Sequence, residues 1–365
     1  MCRQIGIVEG SANLLGETRL SPFGVPLEFI LFAATLLAVA LFHRRTLTVA
    51  LVGLVSILIY KLFVAGFDGA PGFAGFSHHL EHHWVELANL GLLLLGFAIL
   101  SRQFEQSGLP ERARHPSRQL DWRSGASGAG VCSLRLSRQH RRGAGSVVGD
   151  TTTTMMWIAG KSPLELLPAY VGAIAAFAVF ALPAAHVQHR FAPIQKHAGV
   201  RVVVDWVRVA IVAVMLVSVV GSNVAANLLA PELLHAIPLI GLALWLAILA
   251  TALFRAPDWK VMPEAIRGAA FLLALVLAAS LMPVKSLPAP TWMTTLGLGA
   301  ISSVFDNIPL TALALQQGGY DWALLAYAVG FGGSMLWFGA RLASPWRTCS
   351  RRRSLLLTGY AQHGG

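Results

Sequence analysis

The sequence predicts an all-α polytopic membrane protein, and three observations carry that prediction. Hydrophobic residues make up 55% of the 365 and charged residues only 12%, whereas ordinary soluble domains carry about a quarter charged residues. Apolar runs close to the ~20 residues that cross a bilayer recur along most of the chain. The basic residues fall between those runs, where they set topology. The net charge of +11 is accounted for in this way, so nucleic acid is not an expected partner.

Taken in order, spans are expected at about 25–42, 47–65, 84–101, 143–160, 164–182, 202–220, 234–254, 267–284 and 321–340. Arg44 and Arg45 separate the first two spans. Arg190, Lys196 and Arg201 lie between the fifth and sixth, and Arg255, Lys260 and Arg267 between the seventh and eighth. These loops are therefore cytoplasmic. The opposite loops, "GFDGAPGFAGFSHHLEHH" and "GSNVAANLLAPEL", hold no Lys or Arg. The alternation reaches the basic tail from Arg341 onward only if the stretch at about 293–317 enters and leaves from the outer side, as a re-entrant hairpin. No cleavable leader stands out, and the run from Val25 reads as a retained first span.

The organisation expected is an amino-terminal segment 1–24, three spans in 25–101, a basic anomalous segment 102–142, a broken helix and following span in 143–200, a second unit 201–340 and a basic tail 341–365. Cys2, Cys132 and Cys349 are widely spaced and odd in number. They imply neither a disulfide framework nor a metal site.

Two stretches carry chemistry. "ISSVFDNIPLTALALQQGG", Ile301 to Gly319, places Asp306, Asn307 and Pro309 inside an apolar run. An ionisable residue at membrane depth is a functional-site candidate. Pro309 removes a backbone donor and frees a carbonyl nearby, and transporters use such broken helices to bind ions. "GAGSVVGDTTTTMMWIAG", Gly143 to Gly160, has three glycines, Asp150 and four threonines ahead of an apolar segment, and "GFGGSMLWFGA", Gly330 to Ala340, is its late counterpart. Glycines let backbone unwind toward a ligand, and hydroxyls offer lone pairs to a cation. The plainer alternatives are a polar contact between helices and small residues for close packing.

"GSVVGDTTTTMMWI", "DNIPLTALA" and "GFGGSMLWFG" in this order resemble motifs of the ion transporter superfamily, closest to NhaD-type sodium/proton antiporters and citrate-transporter-like relatives. The resemblance covers most of Val25 to Gly339. It implies an inverted-repeat secondary transporter with a re-entrant hairpin and broken helices. It also implies a midplane site built from Asp150, Thr151 and Thr152 of the first repeat and Asp306, Asn307, Gly333 and Ser334 of the second.

One departure stands out. Where the family's first repeat holds its own Asp-Asn hairpin, this chain has "PERARHPSRQLDWRSGASGAGVCSLRLSRQHRR", with no span and no Asp-Asn pair. Leu136 to Arg142 can be encoded CTT TCT CGA CAA CAT CGC CGC, and one nucleotide later this reads Phe-Leu-Asp-Asn-Ile-Ala. The tail from Ala340, read two nucleotides into its first codon, can give Ser-Ser-Gly-Val-Ala-Leu-Ala-Asn-Met-Phe-Pro-Glu. The two basic segments are therefore expected to be shifted readings of family sequence, and the chain the product of a damaged transporter gene.

"SHHLEHHW" puts His78 with His82 and His79 with His83 at four-residue spacing, which can hold a metal on a helix. His79, His82 and His83 also resemble one histidine box of membrane di-iron desaturases. Those enzymes need several boxes, and His186 and His189 do not supply them, so an external polar patch is the reading kept. Glu86 with Asn89, and Asp205 with Arg208, are structural pairs on one helix face, and Lys61 is read as snorkelling to the interface.

The function expected is sodium/proton antiport by alternating access, with protons and sodium competing for Asp150 and Asp306. The alternatives are a sodium-coupled transporter of a citrate-like carboxylate and an inactive shifted product. No enzyme activity, cofactor or metal is expected. The bacterial inner membrane is the expected location, the partners are sodium, protons and the lipid bilayer, and a homodimer is left open.

Overall fold

The computed structural model describes residues 25–42, 44–67, 72–110, 151–161, 163–183, 186, 203–229, 231–305 and 307–335. These residues are mostly helical, with no β-strand among them. The elements are α1 (Leu27–Leu41), α2 (Thr46–Tyr60) running into a π-turn at Lys61–Ala65, α3 (Gly72–Gln106), α4 (Thr151–Ile158), α5 (Pro163–Leu166) and α6 (Ala169–Ala176) with a π-turn at Phe177–Ala181. They continue as α7 (Trp206–Leu229), α8 (Pro231–Ala236), α9 (Leu239–Ala252), α10 (Met262–Ser280), α11 (Trp292–Ser302), α12 (Asn307–Gln317) and α13 (Trp322–Met335).

Among the described residues, four stretches are long and apolar enough to cross a bilayer: Thr46–Ala65, Gly72–Gln106, Trp206–Asn227 and Trp259–Ser280. Their outward faces carry large apolar side chains such as Val55, Val217 and Ile266, all exposed. Water disfavours such a surface and hydrocarbon does not. The chain is thus built as an all-α, membrane-embedded protein.

Helix ends follow from local chemistry. Pro26 precedes α1 and Pro263 stands in the first turn of α10, where a missing N–H breaks no helical bond. Thr291 caps α11 in a reciprocal box: its Oγ1 accepts from Thr294 N at 3.2 Å, while Thr291 N donates to Thr294 Oγ1 at 2.8 Å. Two boundaries differ from the sequence reading. The expected third span widens, because α3 already begins at Gly72 and includes the histidines assigned to a loop. The sixth continues to Leu229, through much of the expected outer loop "GSNVAANLLAPEL".

One end of the bundle is tied by charge. Arg102 Nε donates to Asp258 Oδ2 at 3.1 Å, and Asp205 pairs with Arg208 at 3.5 Å and with Arg255 at 3.6 Å. Arg208 also donates to Gln103 and Gln106. These contacts join the carboxyl ends of α3 and α9 to the amino ends of α7 and α10. The expected Asp205–Arg208 pair is present as one part of this network.

The opposite end is held by His79 Nε2 and Ser280 Oγ, 3.0 Å apart. Between the ends, Asn89 Oδ1 accepts from the backbone N of Gly241 at 2.7 Å, and Trp245 Nε1 donates to Leu92 O at 3.0 Å. Gly241 N belongs to the first turn of α9, which has no intrahelical acceptor. The buried Asn89 supplies one.

Three apolar clusters form the interior, and α4 joins them. Met155 packs with Phe32, Leu275 and Ile308; Trp157 with Leu93, Met215 and Leu244; Met156 with Leu166, Ala314 and Val329. The described part of α4, Thr151–Ile158, rises about 12 Å.

Candidate functional site

The site is assembled from the starts of α4 and α12. Glycine chemistry fixes where α4 stops: Gly160 has φ +78°, Lys161 N donates to Met156 O at 3.0 Å and Gly160 N to Trp157 O at 3.1 Å. This paired closure with a left-handed glycine is a Schellman motif. The described part of the helix, Thr151–Ile158, ends there, with Thr152, Thr153 and Thr154 all buried.

The other half is a helical hairpin. α11 and α12 have 11 residues each, about 16 Å of rise. Gln317 Nε2 at the end of α12 donates to Pro288 O, ahead of α11, at 2.7 Å. The two open ends of the hairpin are therefore joined. Its closed end lies between Ser302 and Asn307. α13 packs along α11, with Ser302 Oγ donating to Val329 O at 2.8 Å. A Cβ built on Gly332 would lie 1.8 Å from Gly299 O, so the two backbones touch.

At that closed end Asn307 Nδ2 donates to Thr152 Oγ1 at 2.7 Å. Thr152 is fully buried, and so is Thr311, whose Oγ1 donates to Asn307 O at 2.9 Å. One bond joins the two motifs singled out in the sequence, 155 residues apart. Helix amino ends carry unsatisfied N–H groups and a partial positive charge. The first described turns of α4 and α12 meet here, bringing hydroxyls and an amide together.

Asp150 and Asp306 immediately precede α4 and α12 in sequence, and both lie outside the described residues. Thr151 is the first residue of α4. Gly333 and Ser334 lie in the last turn of α13, a helix that packs on α4. Of the expected basic segment 102–142, residues 102–106 instead continue helix α3, while 111–142 and the tail 341–365 fall outside the described residues.

Three expectations need correction. Pro309 does not break the helix: it is the third residue of α12, where its missing N–H costs nothing. The interruption lies ahead of it. Nor is α13 interrupted at Gly330–Gly333, since it runs unbroken from Trp322 to Met335. Gly332 serves close approach to α11 instead. Lys61 does not snorkel: it is buried, with Nζ 5.4 Å from the centre of the Phe67 ring.

The histidines sit on α3 and stack on one another, with His79 and His83 ring centres 4.7 Å apart and His82 and His83 5.2 Å apart. His83 Nδ1 lies 3.3 Å from Glu86. Among the described residues no three His, Cys, Asp or Glu side chains are placed to hold a metal ion.

Thr311 and Glu28 are buried polar residues that the sequence reading passed over, and Thr153 and Thr154, noted there only among the four threonines, are buried as well. Thr311 follows Asn307 by one helical turn, a spacing that puts both on one face. Glu28 is the lone acidic residue of the first apolar run. Comparison with family models, curated proteins and solved structures finds no match to this chain.

Proposed function

We propose that the chain is a secondary active transporter that exchanges sodium for protons by alternating access across the membrane. The observation that carries this reading is the Asn307–Thr152 bond. It joins the first described turns of α4 and α12, each preceded in sequence by an aspartate, and the 11 residues of α12 are too few to cross a bilayer. Transporters build midplane ion sites from such half-helices. In this reading α11 and α12 form the re-entrant hairpin of the second repeat and α4 the inner half of the first broken helix. Asp150 and Asp306 alternate between carrying protons and coordinating the cation with threonine, asparagine and backbone oxygens.

The location that goes with this function is a bacterial inner membrane, with sodium and protons as the transported species. The same helix amino ends also favour an anion, which supports a second reading, sodium-coupled uptake of a citrate-like carboxylate. Sodium-induced proton release in vesicles, measured with Asp306→Asn beside the unaltered chain, tests the proposal. Antiport requires the release to vanish in the variant. Uptake of labelled citrate that survives the change overturns the antiporter in favour of carboxylate transport.

A further inference from the structure

The basic residues at the charge-tied end of the bundle fall into two sets. Arg102 meets Asp258 and Glu105, while Arg208 and Arg255 share Asp205. Arg44, Arg45, Lys260 and Arg267 are exposed, and none of them forms an ion pair with a carboxylate among the described residues. Asp258 accepts from the backbone N of Lys260 at 3.3 Å through Oδ1, and its Oδ2 is taken by Arg102 and Gln106. Glu264 is exposed between Lys260 and Arg267 and pairs with neither.

The topology brings the second set to one surface. The π-turn that ends α2 packs on α3, and Phe67 just beyond it lies 6.2 Å from the His79 ring. Ser280, the last residue of α10, lies 3.0 Å from the same His79. α2 and α10 therefore finish at one level, and they pack on each other along the way. Thr46–Ala65 has 20 residues and α10 has 19, so the two also start at one level. Arg44 and Arg45 directly precede α2, and Lys260 and Arg267 bracket the first turn of α10. Lys260, Glu264 and Arg267, spaced by four and three, share one side of that turn.

An aromatic anchor fixes the depth of this surface. The Trp259 ring stacks on Trp245 of α9, with centres 6.5 Å apart and planes 20° apart, yet Trp259 is 46% exposed. Leu253 and Phe254, at the end of α9, are exposed as well. Tryptophan beside exposed apolar and basic side chains marks the level where hydrocarbon gives way to headgroups.

Orienting a chain in the bilayer requires basic residues in these loops, but it does not require them to be left without carboxylates, as Arg102, Arg208 and Arg255 show. Unpaired cations at headgroup depth attract anionic lipid, each adding to the affinity. A zwitterionic headgroup brings its own ammonium, which the same cations repel. We propose that the surface between the starts of α2 and α10 binds the headgroup of an anionic phospholipid through Arg44, Arg45, Lys260 and Arg267. The proposal requires only the membrane-embedded fold, and its test contains no transport measurement.

The full chain, purified in detergent, is incubated with equal amounts of phosphatidylglycerol and phosphatidylcholine carrying the same acyl chains, and its lipid adducts are counted by native mass spectrometry. Phosphatidylglycerol adducts should exceed phosphatidylcholine adducts at least about tenfold. Replacing Arg44, Arg45, Lys260 and Arg267 together by Gln should bring the ratio to about one, whereas Lys285→Gln, at the opposite end, should leave it unchanged. The two double variants, Arg44→Gln with Arg45→Gln and Lys260→Gln with Arg267→Gln, carry the test if the fourfold variant does not fold. Each should lower the ratio at least about threefold. Inorganic phosphate exchanged for acetate at equal ionic strength should leave the lipid in place; displacement would assign the surface to a free anion and overturn the proposal. A ratio near one in the unaltered chain, or a preference that survives the substitutions, overturns it too.

Discussion

Asn307 Nδ2 donates to Thr152 Oγ1 at 2.7 Å, with the acceptor fully buried. Thr152→Val keeps the shape of the side chain and removes the acceptor. Leaving a buried polar group unpaired costs about 1–3 kcal/mol, so the variant should melt several degrees lower. Thr152→Ser, which retains the hydroxyl, should recover most of that loss. Melting of purified protein checks both, and a Thr152→Val curve superimposed on the unaltered one would remove the bond from any account of the site.

Contact between α11 and α13 predicts a strong size dependence at one glycine. Gly332→Ala places a methyl 1.8 Å from Gly299 O, a backbone atom that cannot turn aside. The helices must separate, at a cost of about 1–3 kcal/mol or more. Gly297→Ala is the control: a Cβ there meets nothing within 4 Å, and replacing glycine inside a helix gains about 0.5–1 kcal/mol. Thermal stability should fall for the first substitution and hold or rise for the second.

The charged end of the bundle makes a pH prediction. The Arg102 side chain, donating to Asp258, holds that carboxyl below its ordinary value; burial opposes this with a smaller effect, and the Lys260 backbone N–H lowers it further by less still. A carboxyl depressed in the folded state stabilises above its unfolded pKa, and loses that contribution as pH falls through its folded value. The melting temperature should therefore decline below about pH 4, and less steeply in Asp258→Asn. The pair is exposed to solvent, so added salt should shrink the difference between the two proteins. Equal slopes in the two proteins at low salt would exclude the pair as a source of acid sensitivity.

Much of the fold was legible because hydrocarbon imposes a simple rule on composition. Runs at 47–65 and 267–284 lie close to Thr46–Ala65 and Met262–Ser280. The meeting of Thr152 with Asn307 was foreshadowed by placing both in one site, though the distance between them in sequence gives no register. The errors have a physical pattern. Hydropathy could not see that α3 begins at Gly72, since helix continues into polar sequence wherever its backbone bonds close. Pro309 and the Gly330–Gly333 run were read as breakers by residue type alone. A proline in a first turn and a glycine against another helix are both compatible with unbroken helix. Lys61 was assigned to the interface from its place in sequence, whereas its side chain is buried.

The histidine cluster gives a prediction against metal chemistry. Its rings already contact one another, Glu86 and Ser280. Replacing His78, His79, His82 and His83 by Gln should leave a folded protein with metal content unchanged from the unaltered chain. Elemental analysis after chelator treatment decides the matter. Stoichiometric iron in the unaltered protein, absent from the fourfold variant, would revive the desaturase-like reading.

The last prediction concerns the gene. α11 and α12 form a complete hairpin with Asp306-Asn307 between them, and the sequence holds no second Asp-Asn pair. A transporter of two equivalent repeats needs one. Leu136–Arg142 becomes Phe-Leu-Asp-Asn-Ile-Ala when read one nucleotide later with permitted codons, a short way ahead of Asp150, where the first hairpin would close. The tail from Ala340, in its alternative frame, gives small and apolar residues that extend the run following α13. The same two segments hold Cys132 and Cys349 and a density of arginine unlike the stretches beside them, as shifted reading of GC-rich codons produces. A real basic loop and tail would leave such coincidences unexplained. Sequencing the gene and its transcript should reveal codons compatible with both alternative frames, and restoring the frames should yield a chain with two Asp-Asn pairs. Codons incompatible with either alternative reading would establish both basic segments as native and end the idea.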